Sequence, residues 1–357
     1  MTKIKRFIEC LIPITTCNLR CSYCYVMQRN NRCNKIAKLN YSPEQIGNSL
    51  TTKRLGGICY FSICGAGETT LQPELKDIVY NILKQGHYVN ITTNGTLTNK
   101  LKDIVKTSKE YISHLHFSFS LHYLELKKNN LLSTFFDNVR MVRDEGASIL
   151  VQINLCDEYI PYITEINDLC IKELGFKPHA IITRMENKNL EKIKLHTNLS
   201  EKEYIEIGKK FNSKLFDFYI KNFNVKRKEF CYAGDWSFVL NLSTGIMRRC
   251  YKSYFCQNIF KDPNKKIKFL AIGNNCNSPY CMNCTHFMSL GGIPNLKTPT
   301  YYNLRSRDKN YNEETKKFLS SKLKDNNVEY KKLKKVYVNI VGKIDTLINF
   351  IVKVVKK

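Results

Sequence analysis

Between residues 7 and 184, short apolar runs alternate with longer stretches that carry apolar residues at helical spacing. The alternation is typical of a parallel sheet with crossover helices. The predicted strands are 7–14, 58–63, 88–92, 114–120, 149–155 and 179–183. Helices are predicted to begin near Pro43, Pro73, Thr98, Ser133 and Pro161. Six such units make about three quarters of a (β/α)8 barrel, so the expected fold class is α/β, a partial (β/α)6 TIM-type barrel.

The pattern changes after this region. Residues 200–224 predict one further helix, because apolar residues recur at helical spacing from Tyr204 to Phe223. Residues 230–290 carry six of the fifteen cysteines with Gly and Asn turns, which indicates a small module organised by metal. From about Thr300 the chain is polar and then strongly basic. The predicted domains are a core (1–199), a linker helix with the cysteine-rich module (200–295) and a basic helical tail (296–357).

Composition indicates which partners and which cellular compartment to expect for the protein. Its formal net charge of +26 would suit acidic partners, but Lys, Asn and Ile are abundant throughout, so we interpret much of the charge as a general bias. The N-terminus lacks the apolar region and cleavage site of a signal peptide, and no run of eighteen apolar residues occurs. We therefore expect a cytoplasmic protein whose clustered cysteines bind metal rather than form disulfides.

Three cysteines follow the first predicted strand at CxxxCxxC spacing: Cys17, Cys21 and Cys24. Three thiolates this close can hold three corners of a 4Fe-4S cubane and leave the fourth iron without a protein ligand. The amine and carboxylate of an amino acid can chelate that iron, so an electron can pass into a bound sulfonium. From the spacing alone, a zinc knuckle is the alternative.

The residues around this loop resemble the radical S-adenosylmethionine (SAM) superfamily over roughly residues 7–185. In that family an aromatic residue precedes the third cysteine, as Tyr23 does here, and its backbone lies near the adenine of SAM. The family's Gly-Gly-Glu motif contacts the SAM amino group, and Ala66-Gly67-Glu68 stands in register with it, with alanine replacing the first glycine. Small residues at such a position let the backbone approach a ligand.

Other polar positions resemble SAM contacts of the family, and all lie at the C-terminal ends of predicted strands, where barrels of this type build their sites. The implied SAM site comprises Tyr23, Gly65, Ala66, Gly67, Glu68, Thr93, Asn94, Ser118, Ser120 and Asn154. In the family, the reduced cluster splits SAM into methionine and a 5'-deoxyadenosyl radical, which removes a hydrogen atom from the substrate. The resemblance also implies an electron donor such as flavodoxin or ferredoxin.

A second set of cysteines matches the auxiliary-cluster domains called SPASM and twitch. Because no cysteine follows Cys284, the shorter twitch form with one auxiliary 4Fe-4S cluster fits better. The resemblance implies Cys231, Cys250, Cys281 and Cys284 as ligands, with Cys256 and Cys276 near enough to replace one of them. A zinc ribbon is the alternative. The remaining cysteines are interpreted as small core residues: Cys10, Cys33, Cys59, Cys64, Cys156 and Cys170.

An auxiliary cluster serves relatives as an electron conduit or acceptor, which suits oxidation of a substrate by two electrons. We therefore expect a radical SAM oxidoreductase that acts on an unknown small molecule or peptide. Peptide maturation is the alternative among enzymes, and a non-catalytic, metal-stabilised protein that binds nucleic acid is a remote one. A general base is also needed if a proton leaves the substrate, and the candidates are His122, Arg184, Glu186 and Asp235.

The C-terminal residues 330–357 predict an amphipathic helix flanked by lysines. Its apolar stripe steps alternately by four and three: Leu333, Tyr337, Ile340, Ile344, Leu347, Ile351 and Val354. Three interpretations compete: a helix on an anionic membrane surface, a helix that pairs with another copy or a partner, and a helix that packs on the barrel.

Overall fold

The computed structural model describes residues 2–36, 38–185, 194–251, 253–274, 276, 278, 280–281 and 283–355, with side chains up to residue 344. Its centre is a sheet whose first six strands are parallel and neighbour one another in chain order. They are β1 (Arg6–Ile12), β2 (Cys59–Gly65), β3 (Tyr88–Thr93), β4 (Leu115–Ser120), β5 (Ser148–Leu155) and β6 (His179–Ile182). Each strand ends within one or two residues of its predicted position. The sheet does not close, so the predicted partial barrel is confirmed.

Helices connect the parallel strands. In the core they are α1 (Tyr25–Gln28), α2 (Pro43–Ser49), α3 (Thr52–Leu55), α4 (Leu75–Leu83), α5 (Thr98–Thr107), α6 (Tyr123–Lys128), α7 (Leu132–Asp144) and α8 (Ile163–Leu174). The five helices predicted from sequence correspond to α2, α4, α5, α7 and α8. Ser42 shows why α2 begins where it does, because its side chain accepts a hydrogen bond from the Gln45 backbone N–H and Pro43 occupies the first turn.

The single helix predicted over 200–224 is wrong, because the structure has two helices there, α9 (Glu201–Lys209) and α10 (Lys214–Asn222). Asn212 adopts a left-handed conformation with φ of 46°, which ends the first helix. Ser213 then caps the second by accepting from the Phe216 N–H. The two helices pack tightly, since a Cβ on Gly208 would lie 2.0 Å from Cζ of Phe216.

The cysteine-rich region continues the same sheet. Strand β7 (Ser237–Asn241) pairs in parallel with β1, and β8 (Ile246–Arg248) and β9 (Cys256–Asn258) follow in antiparallel order. Strand β1 is therefore bonded to β2 on one edge and to β7 on the other. The three-part domain division stays a prediction.

Buried side chains form one cluster on each face of the sheet. The larger cluster packs the strands against the core helices. In the smaller one, Tyr60 and Tyr88 of the strands meet Tyr301 and Phe318 of two later helices, α11 (Tyr301–Arg305) and α12 (Glu313–Leu319). The rings of Tyr88 and Phe318 stack with centroids 3.8 Å apart. The first part of the predicted tail thus fills the interior of the sheet.

The final helix, α13 (Lys332–Val355), packs by one face and exposes the other. Val338 is buried, and Asn339 exchanges hydrogen bonds with Asn274 of the cysteine-rich region. On the other face Leu333 and Ile340 are 86% and 55% exposed. Within the described part of the chain, no helix combines the length and apolar character needed to cross a bilayer.

Four of the six cysteines interpreted as core residues are buried: Cys10, Cys59, Cys156 and Cys170. Cys33 is a correction, because it lies exposed in a loop with its sulfur 2.9 Å from Oγ1 of Thr15. Cys64 is half-buried near the end of β2.

Candidate functional site

A cavity of about 260 Å³ lies at the C-terminal ends of the parallel strands. The three thiols of the CxxxCxxC loop, Cys17, Cys21 and Cys24, line it together. Nine of the ten predicted SAM contacts also line it: Tyr23, Gly65, Ala66, Gly67, Glu68, Thr93, Asn94, Ser120 and Asn154. The chain thus brings a thiol-rich loop and the ends of several strands to one concave surface.

The cysteine loop is braced by residues distant from it in the sequence. The guanidinium of Arg32 donates to the carbonyl oxygens of Cys17 and Leu19. The Asn94 side-chain amide donates to Oδ1 of Asn18 at 2.8 Å and lies 3.8 Å from the sulfur of Cys17. These contacts fix the path of the loop, so its thiols are positioned by β3 and by the segment that follows α1.

Gly67 is required by a close backbone approach. Its N–H donates to the carbonyl of Ile14 at 2.6 Å, and the N–H of Glu68 donates to that of Thr16 at 2.9 Å. A Cβ on Gly67 would lie 2.0 Å from the Thr16 carbonyl oxygen, which is a severe clash. The motif after β2 is therefore docked directly against the start of the cysteine loop.

The buried carboxylate of Glu68 joins the ends of β2 and β3. One oxygen accepts from the hydroxyls of Thr70 and Thr93, each at 2.6 Å, and from the Thr70 N–H. The other accepts from the Asn94 N–H at 2.7 Å. Hydrogen bonds to a charged acceptor in a buried site are strong. Glu68 therefore positions Thr93 and Asn94 in addition to lining the cavity.

Ser118 is the one predicted SAM contact that does not line the cavity. It lies on β4 two residues before Ser120, and its hydroxyl donates to Oδ1 of Asn90 at 2.9 Å inside the sheet. Two residues of strand correspond to about 6.6 Å, so Ser118 lies one layer deeper than Ser120.

Tyr23 and His122 form a polar pair in the cavity wall. The tyrosine hydroxyl is 2.6 Å from Nδ1 of His122 and 3.1 Å from the hydroxyl of Tyr159. Burial lowers the pKa of His122 to about 4, so its ring is neutral at pH 7. The contact fixes the orientation of both rings beside the cysteine loop.

The other candidate bases are placed differently. Arg184 lines the cavity beside Tyr219 of α10. Asp235 lies away from the cavity wall, where it pairs with the guanidinium of Arg6 at 3.1 Å and accepts from the Tyr330 hydroxyl at 2.5 Å. Glu186 falls outside the described residues.

The chemistry of the loop suits an iron-sulfur cubane. Burial raises the pKa of the Cys17 and Cys21 thiols, so a cation is needed to stabilise their thiolates. In the described residues no three Cys, His or acidic side chains converge closely enough to hold a single metal ion. The three thiols share the wall of one cavity, and this arrangement suits a cubane, in which each thiolate binds a different iron.

A second cavity, of about 60 Å³, lies on the β7 side of β1. Four cysteines line it: Cys231, Cys250, Cys276 and Cys281. Three of them are predicted auxiliary ligands, and Cys276 is one of the two predicted substitutes. The fourth predicted ligand, Cys284, is buried at the start of the π-helix Cys284–Met288, and Cys256 is exposed at the start of β9.

Glu9 of β1 is a residue of the second cavity that the sequence analysis missed. It lines the second cavity, accepts from the Asn283 amide at 2.9 Å, and is 3.7 Å from the sulfur of Cys64. Cys64 precedes Gly65 in the wall of the first cavity. Burial raises the pKa of Glu9 to about 7. A charged residue inside an otherwise apolar predicted strand was the signal that could have revealed Glu9. No comparable sequence signal marks Arg32.

Residues 11–156 match the model of the radical SAM superfamily. The chain therefore contains a radical SAM domain over these residues, and proteins with this domain use a 4Fe-4S cluster and SAM.

Among solved structures, the chain is similar to crystal structures of Streptococcus suis SuiB with bound S-adenosylmethionine (17% identity) and without it (16%). Both have a TM-score of 0.51, and both cover 73% of this chain and 64% of SuiB, so the match spans less than two thirds of SuiB. A histidine-tagged form of anSMEcpe with bound AdoMet has 18% identity, a TM-score of 0.48, and coverage of 73% and 77%. The TM-score of 0.51 indicates that the chain shares its fold with SuiB over the matched part. No sequence among curated proteins matches the chain.

Proposed function

We propose that this chain is a radical SAM enzyme that oxidises a small molecule or peptide by two electrons with the help of an auxiliary 4Fe-4S cluster. One observation carries the proposal: two cysteine-lined cavities flank the same strand. The Cys17 loop follows the C-terminal end of β1, while Phe7 and Glu9 of β1 line the second cavity. A second redox group beside the strand that leads into the Cys17 loop is suited to receive an electron from the substrate.

At the first cavity, Cys17, Cys21 and Cys24 would hold the SAM-binding cluster. When bound, the cluster and SAM supply a 5'-deoxyadenosyl radical that removes one hydrogen atom from the substrate. The residues around them orient and enclose the reactants, and Ile181 and Tyr219 contribute to the wall beside Arg184. The protein supplies position and exclusion of water, and the cofactor supplies the reactivity.

After the hydrogen atom leaves, the oxidation releases one proton and one further electron. The cysteines of the second cavity would hold the auxiliary cluster, and that cluster would accept this electron. Of the candidate bases that the structure describes, His122 and Arg184 line the SAM cavity, and a guanidinium does not lose its proton near pH 7. We therefore assign proton acceptance to His122. With a pKa of about 4 it is a weak base, so the proton it accepts must be acidic.

Anaerobic reconstitution tests the proposal. Two cubanes predict about eight irons per chain, and reduction in the presence of SAM is expected to yield 5'-deoxyadenosine. Reduced flavodoxin or ferredoxin is the proposed donor in this assay. Protein that binds zinc and forms no 5'-deoxyadenosine would contradict the proposal. With a substrate, a product lighter by two hydrogens supports oxidation, and modification of a peptide supports the peptide alternative.

We also propose that α13 lies on an anionic membrane surface. Its exposed stripe includes Leu333, Tyr337 and Ile340, which are 86%, 58% and 55% exposed. Lysines flank this stripe at 331, 332, 334, 335 and 343. Exposed apolar side chains beside lysines suit the boundary between acyl chains and anionic headgroups.

Vesicle flotation tests this role. The full chain is expected to float with anionic vesicles and to stay in solution with zwitterionic ones. Leu333→Asp with Ile340→Asp should abolish flotation, because both changes place a carboxylate in the apolar stripe. Exposed Val328 offers a matched control off the helix, so Val328→Asp should leave flotation intact. Equal flotation by the wild type and the double variant would contradict the membrane role.

A further inference from the structure

The four cysteines that line the second cavity are not the four that the sequence spacing predicts as ligands. Cys231, Cys250, Cys276 and Cys281 line the cavity wall, and all four lie outside the helices and strands. Within the described residues, Cys284 is not part of this wall, although it is the second cysteine of the CxxC pair with Cys281. Four thiols on one wall are the number that a fully ligated 4Fe-4S cluster requires.

Backbone pairing holds the segment of Cys276 against that of Cys231. The N–H and carbonyl of Cys231 bond to the carbonyl and N–H of Gly273, both at 3.0 Å. The next residue, Asn274, accepts from and donates to the Asn339 side chain of α13 at 3.1 and 2.9 Å. Gly273 has φ of 78°, and a Cβ there would lie 2.4 Å from Oδ1 of Asn339. The segment is therefore fixed from both sides two residues before Cys276.

The surroundings of Cys284 are of another kind. The residue is buried, with 4% of its surface exposed, and it begins a π-helix whose Phe287 lines the cavity in its place. Its ionisable neighbours are the thiol of Cys281 and the guanidinium groups of Arg184 and Arg227, and Arg184 belongs to the wall of the SAM cavity. Cys284 thus neighbours both Cys281 of the second cavity and Arg184 of the first.

We propose that Cys276, and not Cys284, is the fourth protein ligand of the auxiliary cluster. The proposal rests on the auxiliary cluster of the proposed function. It gives the ligand set Cys231, Cys250, Cys276 and Cys281. Cys284 is then a buried thiol between the two cofactor sites.

The test isolates the second site in the full chain. In a triple variant, Cys17→Ala, Cys21→Ala and Cys24→Ala remove the first cluster, so about four irons per chain should remain. Cys276→Ser, Cys284→Ser and the exposed control Cys256→Ser are then added one at a time. Iron and sulfide are counted after anaerobic reconstitution, and the reduced protein is examined by electron paramagnetic resonance.

Cys276→Ser is expected to lose most of the iron or to change the resonance spectrum, because serine replaces a thiolate by an oxygen ligand. Cys284→Ser and Cys256→Ser should keep about four irons and the parent spectrum. A changed spectrum or lost iron in Cys284→Ser overturns the proposal, as does an unaltered Cys276→Ser variant. If Cys276→Ser does not fold, the result for Cys284→Ser alone decides in the same way.

A different result addresses the proposed function itself. If the triple variant holds no iron, the auxiliary cluster is contradicted, and both proposals fail together. If the triple variant holds about four irons and Cys284→Ser loses them, the proposed function stands and the ligand assignment alone is wrong.

Discussion

The two cysteine sites are assembled in opposite ways. Cys17, Cys21 and Cys24 lie within eight residues of the one loop between β1 and α1. The cysteines of the second cavity are spread from residue 231 to residue 281. At the first site, distant residues such as Arg32 brace a set of ligands that is already local. At the second, backbone pairing between Cys231 and Gly273 is needed to bring the ligands together.

The difference shows what local spacing can specify. In a short loop, chain length alone restricts the distance between the thiols. The ligands of such a site can therefore be predicted from sequence. Over fifty residues the chain imposes no such restriction, and tertiary pairing decides which cysteines meet.

The largest expected effect concerns the local site. Cys21→Ala should abolish 5'-deoxyadenosine formation and remove about four of about eight irons, because the remaining two thiols cannot hold the cubane. Cys33→Ala is the matched control, since Cys33 is exposed beside the same loop. Both are measured by iron counting and by chromatography of the SAM products. Retained 5'-deoxyadenosine formation in Cys21→Ala would show that the two sites do not differ as described.

Gly67→Ala tests the docking of the β2 motif on the cysteine loop. The added methyl would clash with the Thr16 carbonyl, so we expect a loss of about 3 kcal/mol in the free energy of unfolding. Iron at the first site should fall while the second site keeps its cluster. Urea unfolding and iron counting measure these effects, with Ala66→Gly as the adjacent control. Equal iron loss at both sites would contradict a local role for Gly67.

Asn339→Ala tests whether the dispersed site depends on α13. The change removes the hydrogen bonds to Asn274, and a loss of about 1 kcal/mol is expected. Iron at the second site should be released faster by a chelator, while release from the first site is unchanged. Lys343→Ala, an exposed change on the same helix, is the control. Unchanged iron release at both sites would show that the auxiliary site does not depend on α13.

The smallest effect concerns the scaffold that both sites share. His87 is buried, its Nε2 donates to the Leu50 carbonyl, and its Nδ1 accepts from the Cys59 N–H. Burial lowers its pKa from 6.5 to about 4, so the unfolded chain binds the additional proton first as pH falls. The stability that the neutral ring contributes is present above pH 6.5 and is lost towards pH 4.

For His87 alone, the free energy of unfolding should fall by about 1 kcal/mol between pH 6.5 and 5.5. Urea unfolding of the wild type and of His87→Gln at the two pH values measures this. The variant should show a shallower dependence on pH. An identical dependence in both proteins would show that His87 is not the group responsible.

Much of the fold was predictable because its signals are local. The six parallel strands have apolar runs bounded by turn residues, and the ends of β2 and β3 carry the polar motifs that reach the cavity. The two-helix break at Asn212 was not predictable, since the apolar spacing continues across it. The burial of Tyr301 and Phe318 was hidden because only a few apolar residues in a polar stretch enter the interior.

The depth of a residue in the site was harder to predict than its direction. Ser118 and Ser120 both follow the alternation of β4, but Ser118 bonds to Asn90 below the cavity. The position of Cys276 in the second cavity depends on pairing with a segment more than forty residues away, which no spacing rule describes.

Strand β1 has a consequence for how this chain can vary. One end of the strand leads into the Cys17 loop, and Phe7 and Glu9 within it face the second cavity. Inserting or deleting a single residue would reverse the direction of every side chain beyond the change relative to β2 and β7. Such a change would disturb both sites at once. We therefore expect β1 to keep its length across sequence variants, while surface loops gain and lose residues freely.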